Sequence, residues 1–354
     1  MIDALCVIGH PSRLGGADTE LDHQISCWLE MGIEVHICHT GVMDANLRAM
    51  GLEQRGCIYH DARDWSALEG LHCIAFCNGE FLNHLPGIKK FARSTSFVNC
   101  MTWNFDKEVE AQKNGLIDFH LYQTQHAFER VSQKLKGHGD YRPLFFKPYF
   151  DAAEFPYTDD RPQDKFRFGR ISRDDGDKYG GRQLWIYETM TAPVLKEGLI
   201  LGWGANADRK FGRRPEPYIQ TLLPGSLSQR AFYAQCEAII MTTDTFENLP
   251  RVGFEAMASG SVLVVDNKGG WKLQVEDGKT GWLCNDDREF VYKASRCAFE
   301  CEERAAMRAA AKEKLETEWG LQAAMDSWAQ VFAAWEAKDN GRTFEPTTMA
   351  TTQG

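Results

Sequence analysis

The chain reads as an α/β protein of two successive doubly wound domains, and three features predict this. Short apolar runs alternate with helical patterns through residues 1–150. A Pro- and Asp-rich stretch of little periodicity, Lys147–Asp164, interrupts the alternation. A second series of apolar runs and helical patterns then begins. Strands separated by helical segments imply βαβ units and mostly parallel sheets.

In the first domain, residues 1–150, Ala4–Ile8 reads as the opening strand. A Gly-rich turn follows, then a helix over Asp18–Met31 and a strand over Glu34–Cys38. Cys57–Tyr59, Cys73–Cys77 and Ser96–Cys100 read as further strands. In the second domain, residues 151–337, the strands are Phe166–Gly169, Gly198–Trp203, Ala238–Met241 and Val262–Val265. Asp287–Thr317 reads as helix. A last amphipathic helix, Leu321–Ala337, sets Met325, Trp328, Val331, Phe332 and Trp335 on one face and is expected to pack back toward the first domain. Residues 338–354 carry no apolar pattern and read as a flexible tail. The two domains are expected to face a cleft in which ligands bind.

Composition narrows the class. A length of 354 residues is enough for two cores. The net charge of −10 excludes nonspecific binding of polyanions over the whole surface and leaves room for a local basic patch. The eleven cysteines are an odd number, form no C-x-x-C pair and stand mostly in apolar runs. They read as buried free thiols in a reducing compartment. The start has no basic n-region of a signal peptide, and no run approaches a membrane span, so a cytoplasmic location is expected.

The richest stretch is Thr245–Gly260, which sets Glu247 and Glu255 eight positions apart. Glu247 falls in the loop after the buried run Ala238–Thr243. Glu255 falls about two turns or slightly less into a helix ended by Gly260. Loops at the carboxyl ends of such strands open toward ligands. A carboxylate there can meet a sugar, and one further along can meet ribose hydroxyls. Three other segments carry possible chemistry. Gly15-Gly16-Ala17-Asp18 opens a helix, where a backbone can approach a phosphate; on its own the turn also fits, and better, a tight loop with Asp18 as N-cap. Arg170, Arg173 and Lys178 flank a turn where they can neutralise a diphosphate, or pair with Asp174, Asp175 and Asp177 as a solvated loop. Lys268-Gly269-Gly270-Trp271 suits close approach to a sugar, or ordinary turn chemistry.

Taken in order, these segments resemble the retaining GT-B glycosyltransferases of the large family-four-like group. The resemblance covers most of residues 1–335. It is strongest in ENLPRVGFEAMASGSVLVVDNKGGWKLQVEDGKTGWL, which matches the double-glutamate E-x7-E pattern and the downstream Gly-Gly and D-G-x-T-G turns. It implies a GT-B fold of two Rossmann-like domains facing a cleft. Catalysis would fall to Glu247, on the 3- and 4-hydroxyls of the donor sugar, with Arg170 and Lys178 on the diphosphate. The Arg170–Lys178 spacing is two residues longer than usual, which makes Arg173 a rival for Arg170. Glu255 would accept from the ribose. Asn248, Leu249, Pro250, Arg251 and Val252 would line the diphosphate through their backbone, although Pro250 has no amide to donate. Gly15 and Gly16 would approach the diphosphate from the other domain, and Gly225 would lie near the base.

One departure concerns a His that many members carry after an N-terminal-domain strand. Here Thr102, Trp103 and Asn104 take its place as the acceptor-side candidates. His10, His84, His120 and His126 read as structural. The implied reaction moves a sugar, a hexose by expectation, from a UDP- or GDP-sugar to an acceptor hydroxyl with retention. No cofactor and no metal are expected, since no D-x-D constellation is placed to hold one. The acceptor stays open among a glycan, a lipid, a small metabolite and hydroxymethylated DNA. The last is suggested by the basic clusters Lys89–Arg93 and Arg209–Arg214, each with an aromatic residue. A phosphorylase and a noncatalytic sugar-nucleotide binder are the alternative classes.

Overall fold

The structure is a computed structural model that describes residues 2–9, 11, 16–38, 51–61 and 64–341. The chain divides into two compact units, Met1–Phe150 with Trp319–Gly354, and Asp151–Glu318. The last helix, numbered with the second domain in the sequence reading, is therefore part of the first unit.

In the first unit, seven strands, β1 (Ala4–Ile8), β2 (Glu34–Cys38), β3 (Ile58–His60), β4 (His72–Phe76), β5 (Ser94–Val98), β6 (Phe119–Tyr122) and β7 (Pro143–Phe145), form a sheet of order β3-β2-β1-β4-β5-β6-β7. Every pairing is parallel. β1, β4 and β5 are buried almost throughout, which is why they read as apolar runs rather than as alternations. The helix Leu321–Asp339 closes this core. Its Trp328 meets Trp28 edge-on at 4.9 Å and Phe146 at 4.8 Å, and its indole donates to Gln24 Oε1 at 2.8 Å. The helix runs two residues past the expected Ala337. Lys338 and Asp339, expected in the tail, instead bind Asp118 at 3.1 Å and Arg93 at 2.6 Å. The rest of the expected tail, residues 342–354, lies outside the described residues.

In the second unit, β8 (Lys165–Ile171), β9 (Leu195–Leu201), β10 (Ile219–Leu222), β11 (Ala238–Met241), β12 (Val262–Asp266) and β13 (Gly281–Cys284) form a parallel sheet of order β10-β9-β8-β11-β12-β13. Both sheets thus repeat the doubly wound order, with switch points at β1/β4 and β8/β11. Four strands had no sequence signal. β6, β7, β10 and β13 are only three or four residues long, too short to establish a period, and β7 begins with a proline tolerated at a sheet edge. The helix expected over Asp287–Thr317 is two helices, Asp287–Phe299 and Cys301–Glu318, broken at Glu300. That break separates Cys297, which is buried, from Cys301, which is exposed.

His72 of β4 tests the closing helix. It is 2% exposed, its ring stacks on Trp335 at 5.0 Å, and its Nδ1 lies 2.7 Å from Ser94 Oγ. Burial holds its imidazole down to about 4, against the pull of Asp339. The unfolded chain therefore takes up a proton first as pH falls. The stability contributed by neutral His72 is complete above about pH 6.5 and is lost as pH falls toward 4. Urea unfolding of wild type is expected to show a loss between pH 7.5 and 5 that exceeds the loss in His72→Gln by about 2 kcal/mol. Parallel pH curves for the two proteins would show that His72 does not carry this dependence.

Candidate functional site

The switch point of the second unit places two loops side by side at the carboxyl ends of β8 and β11. From the β11 loop comes Glu247. From the β8 loop, in a short 3-10 turn Gly176–Lys178 capped by Asp175, comes Lys178. The Lys178 ammonium lies 2.8 Å from both oxygens of Glu247, and the two side chains are 26% and 15% exposed.

Glu247 is held in place from below. Asp266, at the end of β12, accepts from Thr242 Oγ1 and from the Thr243 amide, each at 2.8 Å. Lys268 donates to Thr243 O. The Gly269-Gly270 turn lies directly against the same loop. A Cβ on Gly269 would stand 2.5 Å from Glu247 O, one on Gly270 1.8 Å from Asn248 O, and the Gly270 amide donates to Glu247 O at 2.9 Å. The close approach that these glycines permit is to the Glu247–Asn248 backbone. Phe246, beside Glu247, projects outward.

Of the three loop cations, Arg170 is placed differently from expectation. It is fully buried beneath the loop. Its guanidinium lies 3.5 Å from the Tyr179 ring centroid and donates to Ser172 Oγ at 2.7 Å, to Gln183 Oε1 at 3.4 Å and to the Lys178 carbonyl. Burial lowers its pKa from the ordinary arginine value. Arg173, at the loop surface, is exposed, and its side chain has no partner among the described residues. Asp174 does not pair with these cations. It accepts from the amides of Asn206 and Ala207, each at 3.0 Å, at the start of the helix Ala205–Phe211.

The helix Arg251–Ser259 ends at Gly260 in a left-handed cap, as its sequence predicted. It begins at Arg251, so Glu255 stands just beyond its first turn rather than near its second. Glu255 is 3% exposed; Tyr233 donates to Oε2 at 2.8 Å and Gln229 reaches Oε1 at 3.5 Å. Burial raises its pKa above the usual carboxylate range, with Tyr233 and the charge of Arg251 acting the other way. Asn248 and Arg251 are buried, while Leu249, Pro250 and Val252 are half-buried along the helix entrance. Gly225 lies at φ +78° in the exposed turn Leu223–Ser226.

In the first unit, Gly16 is the first residue of the helix Gly16–Glu30, and Gly15 and His10 lie outside the described residues. The Asn99–Phe105 loop is organised by a buried carboxylate, Glu108, which accepts from Asn99 Nδ2 at 3.0 Å and from the Phe105 amide at 3.2 Å. Asn99 also donates to Trp103 O at 3.0 Å. Trp103 is 52% exposed and so is no core residue. Thr102 and Asn104 are half-buried. His120 is buried against Gln112 at 2.8 Å, and His84 lies on the surface beside Trp65. The basic clusters are largely neutralised. Lys89 pairs with Asp118, Arg93 with Asp339, Lys210 with Asp244, Arg213 with Glu188 and Arg214 with Asp208. Among the described residues, no three His, Cys, Asp or Glu side chains gather to hold a metal, and no helix is long and apolar enough to cross a membrane.

Sequence reasoning missed Asp266, Tyr233 and Glu108. Asp266 did leave a signal, an acid closing the apolar run Val262–Val265. Tyr233 reads as one more core aromatic, and Glu108 sits among the charges of a surface-like helix.

Residues 219–314 match the family model described as Glycosyl transferases group 1, a span that contains Gly225, Glu247 and Glu255. Among curated proteins, spore coat protein SA of Bacillus subtilis (strain 168) is 23% identical over 118 residues, 32% of this chain; the matched part is 31% of that protein's length. Two solved structures are matched almost end to end. Anabaena Alr3699/HepE in complex with UDP and glucose has a TM-score of 0.71 at 14% identity, over 94% of this chain and 99% of that one. Sucrose-phosphate synthase from Thermosynechococcus elongatus has a TM-score of 0.70 at 12% identity, over 95% and 100%. These likenesses show the GT-B fold.

The packing of the glycine turn on the Glu247 loop generates a prediction. Gly270→Ala is expected to lower the stability of the second unit by about 2–4 kcal/mol, because its Cβ would stand 1.8 Å from the Asn248 carbonyl oxygen, a backbone atom rather than a flexible side-chain end. Gly181→Ala is the control: its Cβ meets nothing within 4 Å, and the change is expected to stay within about 0.5 kcal/mol. Urea titration of the two variants decides; equal midpoints would show that the turn yields.

Proposed function

We propose that the protein is a retaining, metal-independent glycosyltransferase that moves a sugar from a UDP-sugar to an acceptor hydroxyl. The observation that carries this reading is the Lys178–Glu247 pair at the β8/β11 switch point, a cation and a carboxylate side by side, with Glu247 inside the region matched by the group 1 model. The choice of UDP is supported by the HepE complexes with UDP and with UDP-glucose.

In the proposed cycle the donor diphosphate draws Lys178 away from Glu247. The carboxylate is then free to accept from sugar hydroxyls and to oppose the positive charge that develops on the sugar ring. Arg173, exposed and unengaged, supplies the second cation. Arg170 holds the loop from within by its bonds to Ser172 and the Lys178 carbonyl. The amides at the entrance to Arg251–Ser259 face the diphosphate, Glu255 accepts from ribose with Tyr233 as its fixed partner, and Gly225 lies by the base. The acceptor is read by the first unit, with Trp103 as a stacking surface and Thr102 and Asn104 as polar contacts. The ion pairs that absorb Lys89, Arg93, Lys210, Arg213 and Arg214 favour a glycan, lipid or small-metabolite acceptor over DNA.

The test is release of UDP from UDP-sugars, found by a thermal-shift screen, with and without phosphate and with excess chelator. Turnover is expected in chelator and without phosphate; full loss in chelator would sink metal independence, and a strict need for phosphate would point to a phosphorylase. Product NMR is expected to show the donor's anomeric configuration retained. Glu247→Ala is expected to lower kcat by about 10²-fold or more with little change in UDP affinity. Glu255→Ala is expected to weaken UDP about tenfold, the loss of a charged hydrogen-bond acceptor. Arg173→Ala is expected to raise KM for the donor without loss of stability, whereas Arg170→Ala is expected to destabilise the second unit; the reverse pattern would return the diphosphate role to Arg170.

A further inference from the structure

The first unit has its own switch point, between β1 and β4, and Cys77 stands at it as the first residue after β4. Its φ of +47° makes it the one non-glycine residue in the left-handed region among the described residues. The backbone is pinned there, since the Cys77 amide donates to Val98 O at 2.9 Å. The turn aims the side chain at the end of the neighbouring strand. The Cys100 amide donates to Cys77 Sγ at 2.8 Å.

Register supports the same proximity. Phe76 pairs with Val98, so Cys77 lies opposite Asn99 and one residue short of Cys100 on the adjacent strand end. Parallel strands run about 4.8 Å apart, and a disulfide spans Cα atoms about 4.4–6.8 Å apart. Burial also separates this pair from the other cysteines. Cys6, Cys27, Cys38, Cys57, Cys73, Cys236, Cys284 and Cys297 are buried and Cys301 is exposed, whereas Cys77 and Cys100 are both half-buried. Neither residue is fully enclosed, and each has a partner sulfur close by.

We propose that Cys77 and Cys100 are a redox-active dithiol that hydrogen peroxide converts to an intramolecular disulfide. The Cys77 thiolate attacks one peroxide oxygen. The O–O bond breaks, the departing hydroxide takes up the thiol proton as water, and Cys77 becomes a sulfenic acid. The Cys100 sulfur then attacks the Cys77 sulfur. The S–O bond breaks and a second water leaves with the Cys100 proton. Two thiols are oxidised by two electrons and one peroxide is reduced to two waters. The order of attack follows from the surroundings. The Cys100 amide hydrogen points at the Cys77 sulfur. The Cys100 thiol is pushed well above the ordinary thiol range by its bond to Cys77, by burial and by the carboxylates of Glu20 and Asp18. The resulting bond ties the switch-point residue to the start of the Asn99–Phe105 loop, and it forms whatever reaction the protein catalyses.

The test uses the full chain in a Cys301→Ser background, which removes the exposed thiol. The reduced protein is treated with one equivalent of hydrogen peroxide, blocked with iodoacetamide and mapped by peptide mass. A cross-linked peptide pair carrying Cys77 and Cys100 is expected, with loss of two titratable thiols and their return in dithiothreitol. In Cys100→Ser, Cys77 is expected to stop at a sulfenic acid that dimedone traps. The proposal is overturned if both residues remain alkylated, if either goes to sulfinic acid without a cross-link, or if the bridge joins another pair.

Discussion

A parallel sheet covered on both faces gives its polar residues only one kind of place to work, the ends of its strands. Both units obey this constraint. β11 and β12 are buried along their length, so the chemistry of the second unit emerges where they stop, at Thr242–Glu247 and at Asp266. The repeated strand order then brings the β8 and β11 ends together at the switch point. Lys178 and Glu247, 69 positions apart in sequence, meet there without any long excursion of the chain. The same constraint in the first unit brings Cys77 beside Cys100 and sets the Asn99–Phe105 loop at the corresponding edge.

The environments of the two glutamates differ more than their spacing suggests. Glu247 is carried on a loop, part-exposed, with the Lys178 ammonium as its partner. Glu255 is carried on a helix, enclosed, with a tyrosine hydroxyl fixed on one oxygen. The arginines divide in a similar way. Arg170 spends its donors on Ser172, Gln183 and the Lys178 carbonyl, so it shapes the loop that presents Lys178, while Arg173 on the same loop keeps its guanidinium in solvent.

The fold was legible in the sequence wherever burial left a pattern. Long buried strands announce themselves as apolar runs, and the face of the last helix was readable from Trp328, Val331, Phe332 and Trp335. Three- and four-residue strands carry no period, so β6, β7, β10 and β13 were not. The break at Glu300 was hidden because alanine-, glutamate- and arginine-rich sequence on both sides favours helix equally. In the site, residue identities at the loop were legible, but which arginine faces solvent was not. That choice is made by Tyr179, whose ring lies under the Arg170 guanidinium, a tertiary contact that no local spacing encodes. Gly269 and Gly270 were legible as a special turn, and the partner they approach became evident only from the β12–Glu247 packing.

A buried ion cluster in the second unit shows by contrast how the Lys178–Glu247 pair fits the proposed role. Glu237 is buried between Arg304, at 3.1 Å, and Arg308, close to it on the other side. Removing one partner from such a buried cluster strands a charge and costs about 3–5 kcal/mol. A site built that way would resist any ligand that had to separate its charges. Lys178 and Glu247 are both part-exposed, and water screens them. A pair of this kind contributes about 0–1 kcal/mol, little enough for the proposed diphosphate to displace. In the proposed cycle the pair orients both groups toward one point, and its weakness lets each pass to the donor. Asp266 and the glycine turn fix the backbone that carries Glu247 and Arg170 braces the loop that carries Lys178, so preorganisation resides in the scaffold and only the side-chain contact has to break.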